Sequence, residues 1–128
     1  MNNMNKKILL VEDDLFLSSL LGNRLKKEGF EVIPVKVAGD VIKTARDSRP
    51  DLILLDLILP GKSGFEVFEE LKLDVEAAKI PVIIISNLGQ EGDVQRGKEL
   101  GAVDYIVKAK ITMDEMVAKI KSFFGGGN

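Results

Sequence analysis

The sequence predicts an α/β fold, a doubly wound five-stranded parallel sheet with helices on both faces. Three observations predict it. Short aliphatic runs alternate five times with stretches whose apolar residues recur at helical spacing. The two densest runs, Leu52 to Leu59 and Ile80 to Ser86, are apolar at nearly every position, as strands buried on both faces must be. Polar residues gather where those runs stop, and the carboxyl ends of the strands are where open α/β sheets bind ligands.

Each element has its own signal. Lys7 to Val11 is a short strand that runs into Glu12-Asp13-Asp14. From Leu15, the residues Phe16, Leu17, Leu20, Leu21 and Leu25 repeat as on one helix, with Asp14 the expected N-cap and Glu28-Gly29 the stop. Glu31 to Val35 reads as a second strand. Val41, Ile42 and Ala45 then mark a helix that ends before Pro50. The third strand lies in Asp51 to Gly61 and carries Asp56, an acid the interior disfavours, so the residue is expected at the strand's C-terminal end. Gly64 opens a helix that turns Phe65, Phe68 and Leu71 inward. Ile80 to Ser86 tolerates Pro81 near its start. Gln90 to Leu100 contains Gly92 and Gly97, each costing about 1 kcal/mol against alanine, and is expected to be the softest helix. Val103 to Val107 is the fifth strand and ends at Lys108. Thr112-Met113-Asp114-Glu115 matches a capping box before a last helix with Met113, Met116, Val117, Ile120 and Phe123 as its core face. Gly125 to Asn128 is expected to be a flexible tail with no room for an effector domain after it. Right-handed crossovers leave few strand orders, and 2-1-3-4-5, the flavodoxin-like three-layer (βα)5 sandwich, puts the switch point between strands one and three.

At 128 residues the chain is expected to be one domain, with a core of about 6-124. With 45% hydrophobic and 30% charged residues and a net charge of -2, no basic excess calls for nucleic acid. No apolar run reaches the ~20 residues a membrane helix needs, and the lead-in Met1 to Lys7 has no signal-peptide core, so a cytoplasmic location is expected. Zero cysteines exclude disulfides and thiolate chemistry; zero histidines exclude imidazole acid/base pairs and a phosphohistidine on this chain.

Taken singly, Asp14 is a helix cap, Asp56 a turn former, Ser86 a loop hydroxyl and Lys108 a solvated lysine. Together they are different, because the predicted strand order gathers Glu12, Asp13, Asp56, Ser86 and Lys108 around one crevice. Three carboxylates there repel by about 4 kcal/mol per pair at 4 Å and an effective dielectric of 20. A hard divalent cation, Mg²⁺ or Mn²⁺, offsets that repulsion and leaves coordination positions for water and a phosphate oxygen. A carboxylate beside such a metal can attack a phosphoryl donor and form an acyl phosphate. The metal, the Lys108 ammonium and the Ser86 hydroxyl would then neutralise the three phosphoryl oxygens.

With these residues and spacings the chain resembles bacterial response-regulator receiver domains from about Lys6 to Phe124. The resemblance implies Glu12 and Asp13 as the acid pair, Asp56 as phosphoacceptor and metal ligand, and Ile58 as a metal ligand through its backbone carbonyl. It implies Ser86 and Tyr105 as the switch pair and Ser86, Asn87 and Lys108 around the phosphoryl group. Pro60-Gly61 and Gly64 match the family's turn and helix start. A histidine kinase or histidine phosphotransfer protein is the implied donor, and an unidentified protein receives the output. Phosphorylation would alter the surface around the fourth helix and fifth strand; the domain is a switch, with self-phosphotransfer and autodephosphorylation as its only chemistry.

Two positions depart from the family pattern. Asn87 stands where Ala or Gly is usual, and Ala109 where a cis proline follows the lysine. A cis Lys108-Ala109 bond would cost about 3 kcal/mol, so either a trans bond with a rearranged loop or a strained bond is expected. These departures are the best support for the alternative to a phosphoacceptor receiver, a phosphorylation-independent interaction module. A flavodoxin would want a glycine- and hydroxyl-rich phosphate loop where Glu12-Asp13-Asp14 stands. A haloacid-dehalogenase-type phosphatase would want its nucleophile after strand one with a second aspartate two residues on, which this chain lacks.

Overall fold

The computed structural model describes residues 6–125. Strands β1 (Lys7–Val11), β2 (Glu31–Val35), β3 (Leu52–Leu55), β4 (Val82–Ser86) and β5 (Asp104–Val107) alternate with helices α1 (Leu15–Lys27), α2 (Val41–Ser48), α3 (Gly64–Leu73), α4 (Glu91–Glu99) and α5 (Met113–Phe123). The sheet is parallel throughout, in the order β2-β1-β3-β4-β5. The predicted architecture and strand order are those observed.

Alternation along the central strands builds two cores. Leu9, Val11, Ile53, Leu55, Val82 and Ile84 face α2 and α3; Ile8, Leu10, Leu52, Leu54, Ile83 and Ile85 face α1 and α5. That is why β3 and β4 needed aliphatic residues at every position. At the sheet's open edge, Glu31 donates its N–H to Lys6 O and Val35 O accepts from Glu12 N, so the odd residues of β2 bond to β1. The ring nitrogen of Pro34 therefore faces outward and removes a donor from an edge that could pair with another chain.

Helix ends follow local chemistry. Asp14 caps α1, accepting from Phe16 N at 3.0 Å and Leu17 N at 3.1 Å. Thr112 and Glu115 form the predicted capping box, and Ser63 and Glu66 form a second that the sequence reading did not single out. Arg49 takes the left-handed conformation (φ 49°) that ends α2 ahead of Pro50.

Several expected boundaries and faces move. β3 covers only Leu52–Leu55, so Asp56 is the first residue beyond it; β4 starts after Pro81 and β5 at Asp104. Phe16 is 77% exposed and Leu20 is also exposed, because both lie on the outer flank of a helix whose buried stripe is Ser18, Leu21, Gly22 and Leu25. Phe123 is exposed too, and Phe124 instead tilts against Phe30 with ring centroids 5.1 Å apart. The expected tail lies outside the described residues from position 126 on, as does most of the polar lead-in (positions 1–5).

The two glycines of α4 differ. Gly92 has open space around its Cα, whereas a Cβ on Gly97 would lie 2.7 Å from Ile84 Cδ1 and 2.9 Å from the Tyr105 ring. Gly97 thus serves close helix-to-sheet packing. Gly64 is tighter still, since a Cβ there would meet the Asp56 carbonyl oxygen and Leu57 Cα well under 3.0 Å away. Gly64→Ala is expected to destabilise the fold by about 1–3 kcal/mol through overpacking, while Gly92→Ala stabilises it by up to about 1 kcal/mol. Urea unfolding midpoints measure both; equal shifts would refute the assigned close contact.

Candidate functional site

Register brings the polar residues together. Val11 pairs with Leu55, so the next residues, Glu12 and Asp56, emerge side by side, and Asp56 donates its N–H to Val11 O at 3.0 Å. Leu55 pairs with Ile84, and Ser86 with Val107, the residue before Lys108. Strands β1, β3, β4 and β5 therefore deliver Glu12, Asp56, Ser86 and Lys108 to one end of the sheet.

Glu12 is 3% exposed, Asp56 4% and Ser86 not at all, while Asp13 is exposed. The Lys108 ammonium sits between the two buried carboxylates, 2.7 Å from Glu12 Oε1 and 3.0 Å from Asp56 Oδ2. The other carboxylate oxygens bind backbone: Glu12 Oε2 accepts from Asp14 N at 3.0 Å, and Asp56 Oδ1 from Ile58 N at 3.2 Å. Burial raises the Glu12 carboxyl above its ordinary range against the lowering effect of Lys108, and the Asp56 charge adds to the rise. For Lys108, burial acts to lower the ammonium's pKa, but hydrogen bonding and charge from Glu12 and Asp56 outweigh it and hold it above its ordinary value.

Glu12, Asp13 and Asp56 each offer a carboxylate oxygen, all within 4.8 Å of one another. One ammonium against three carboxylates leaves the cluster two negative charges in surplus, and its protein donors are all oxygen. That set fits a hard divalent cation of the Mg²⁺ or Mn²⁺ type.

A second group meets at Leu88. The Ser86 hydroxyl oxygen accepts from Leu88 N at 3.2 Å, and the Tyr105 hydroxyl donates to the Leu88 carbonyl. Ser86 and Tyr105 thus share one backbone residue, which sequence reasoning missed because backbone partners carry no residue-type signal. The Glu12–Lys108 ion pair was missed too, since nothing in the spacing distinguishes which carboxylate the lysine reaches. Asn87 is exposed at the turn after β4. Among the described residues no peptide bond is cis, so the strained Lys108-Ala109 alternative is not realised; Lys108–Lys110 instead forms a short 3-10 turn. Without a proline ring to favour cis, the bond takes its ordinary form.

The comparisons agree with this geometry. The family model described as response regulator receiver domain matches residues 8–121. The chain is 38% identical over 102 residues to Protein PilH of Pseudomonas aeruginosa, covering 80% of this chain and 84% of that one. It is 38% identical over 119 residues to the phosphate regulon transcriptional regulatory protein PhoB of Rhizobium meliloti, covering 93% of this chain and about half (52%) of that longer protein. The crystal structure of the Mn²⁺-bound form of response regulator Rcp1 superposes with a TM-score of 0.81 at 34% identity, over 93% of this chain and 94% of that one.

Tyr105 gives the site a spectroscopic handle, being the sole tyrosine in a chain without tryptophan. Burial, and then the charges of Asp93 and Asp56, push its phenol up to about 12. The neutral phenol is the form the fold favours, so its contribution to stability is complete below the unfolded value of about 10 and is lost as pH rises toward 12. A titration followed by tyrosinate absorbance is expected to show a midpoint near 12 in the folded protein. A midpoint at the free-tyrosine value would overturn the assigned environment.

Proposed function

The chain belongs to the response regulator receiver domain family, and from that premise we propose that Asp56 accepts a phosphoryl group and that the surface over Leu88, α4 and β5 reports it. Receiver domains of two-component systems are signalling switches that bind a divalent metal at an acidic pocket, take their phosphoryl group from histidine kinases and act on downstream partners. The single observation that carries the proposal is the Lys108 ammonium held at 3.0 Å from Asp56 Oδ2 beside an acid pair.

In this reading Asp56 is the nucleophile. A carboxylate oxygen attacks the phosphorus of a phosphohistidine on a kinase or phosphotransfer protein, the P–N bond breaks, and the donor imidazole leaves as the P–O bond forms. These 128 residues contain no histidine, so the phosphohistidine that serves as donor lies outside them. Glu12, Asp13 and Asp56, with the Ile58 carbonyl, would hold Mg²⁺ (or Mn²⁺). When bound, the cation supplies charge neutralisation at the phosphoryl oxygens. Lys108 exchanges part of its contact with Glu12 for a phosphoryl oxygen. The Ser86 hydroxyl and Asn87 would serve the third phosphoryl oxygen.

The switch follows from the shared backbone partner. If the Ser86 hydroxyl turns to donate to the phosphoryl group, it alters its bond to Leu88 N, and the Leu88 carbonyl that receives Tyr105 moves with it. α4, which buries only Gly97, adjusts at low cost. Hydrolysis of the acyl phosphate by water returns Asp56 and inorganic phosphate, so the chain acts as a switch whose sole chemistry is on itself.

Incubation with acetyl phosphate is expected to add one phosphoryl mass to the wild type with Mg²⁺ and none after chelation. Asp56→Asn is expected to take up no label, and Lys108→Ala to lose the change in α4 and β5 amide resonances even where label is incorporated. Label on Asp56→Asn equal to wild type would refute the acceptor assignment. Absence of label on the wild type would leave the phosphorylation-independent interaction module as the reading.

A further inference from the structure

Helix α4 is held to the domain in an unusual way. A surface helix normally stays in place by burying an apolar stripe, yet of Glu91–Glu99 only Gly97 is buried. Its neighbour Arg96 supplies a different tether. The Arg96 guanidinium carbon lies 4.2 Å from the centroid of the Phe65 ring, and Arg96 Nη2 is 3.9 Å from Glu69 Oε2. Phe65 and Glu69 both belong to α3, one turn apart. α4 therefore leans on α3 through a cation stacked on an aromatic face.

The first turn of α3 is in turn locked to Asp56. The space where a Cβ on Gly64 would go is filled by the Asp56 carbonyl oxygen and Leu57 Cα, and Gly64 donates its N–H to Leu57 O at 2.8 Å. The reciprocal capping box of Ser63 and Glu66 stiffens the same turn. Phe65, the next residue, is buried at 6% exposure in the core on that face of the sheet. The Asp56 backbone thus abuts α3 at Gly64, one residue before the buried Phe65 ring.

We propose that Arg96 is a positioning residue that, through Phe65, couples the placement of α4 to the backbone of Asp56 along a route separate from Ser86 and Tyr105. The inference rests on the reading of Asp56 as the phosphoryl acceptor. It assigns α4 as the weakly held, two-position element that the acceptor loop biases through α3. By linkage, anything that weakens the Arg96–Phe65 contact changes the affinity of Asp56 for a phosphoryl group or its mimic.

The test is a double-mutant cycle read by calorimetric titration with beryllofluoride in the presence of Mg²⁺. Arg96→Gln and Phe65→Leu are each expected to change the apparent affinity by about 2- to 5-fold, the range an exposed cation–π contact can transmit. The double variant is expected to match the single ones, because both remove the same contact. Arg96→Lys, which keeps the charge but stacks less well, falls between wild type and Arg96→Gln. Arg96 is exposed, so its variants keep the core intact and the cycle retains a readable arm whatever the cost of Phe65→Leu. Affinity unchanged in Arg96→Gln, or effects that add in the double variant, would overturn the coupling while leaving the acceptor reading standing. Failure of the wild type to bind beryllofluoride would instead sink the acceptor reading and this inference with it.

Discussion

The arrangement on which the rest depends is a lysine clamped between two buried carboxylates. Burying one unpaired charge is costly, and burying two of the same sign beside each other is worse. Lys108 makes the placement of Glu12 and Asp56 tolerable at 2.7 and 3.0 Å, and backbone amides of Asp14 and Ile58 satisfy the remaining oxygens. The cluster is paired but not neutral. Its surplus of negative charge, on oxygen donors alone, is what suits the pocket to a divalent cation.

Around that cluster the domain divides into rigid and yielding parts. The sheet is rigid, since β1, β3 and β4 bury side chains on both faces and carry the charged ends in fixed register. α3 is rigid at its start because Gly64 lets it press against the Asp56 backbone. α4 is held more lightly: its one fully buried residue is Gly97, packed close to Tyr105 and Ile84, and Arg96 lies over Phe65. Leu88 lies between the two regimes, with its N–H on Ser86 and its carbonyl on Tyr105. A small rearrangement at Asp56 thus meets stiff elements on the sheet side and a compliant helix on the other, which is the condition for a local charge change to produce a surface change.

How far the chain could be read in advance varied with the kind of signal. Elements announced by period, such as β3, β4 and α5, were legible, and so were caps written in residue type, Asp14 and Thr112 among them. The polar strand ends were legible as a set because parallel strands in this order must converge there. Phe16 and Phe123 misled, because an apolar residue on a helix flank looks the same in sequence as one on its inner stripe, and only the docking angle separates them. Gly97 had a second meaning that propensity does not show: besides its cost to the helix, it allows the helix to touch an aromatic ring.

By itself the sequence determined the five alternating strands and helices, because alternation and aliphatic density are properties of the chain alone, and it narrowed the strand order to a few, of which the observed 2-1-3-4-5 makes Glu12, Asp13, Asp56, Ser86 and Lys108 converge. Only the tertiary structure decided that Lys108 bonds both Glu12 and Asp56, that Leu88 joins Ser86 to Tyr105, that Gly64 abuts Asp56 and that Arg96 rests on Phe65. The reason is physical. Those contacts link residues distant in sequence through distances of a few ångströms, and such distances are set by how helices seat on a twisted sheet, which no local pattern encodes.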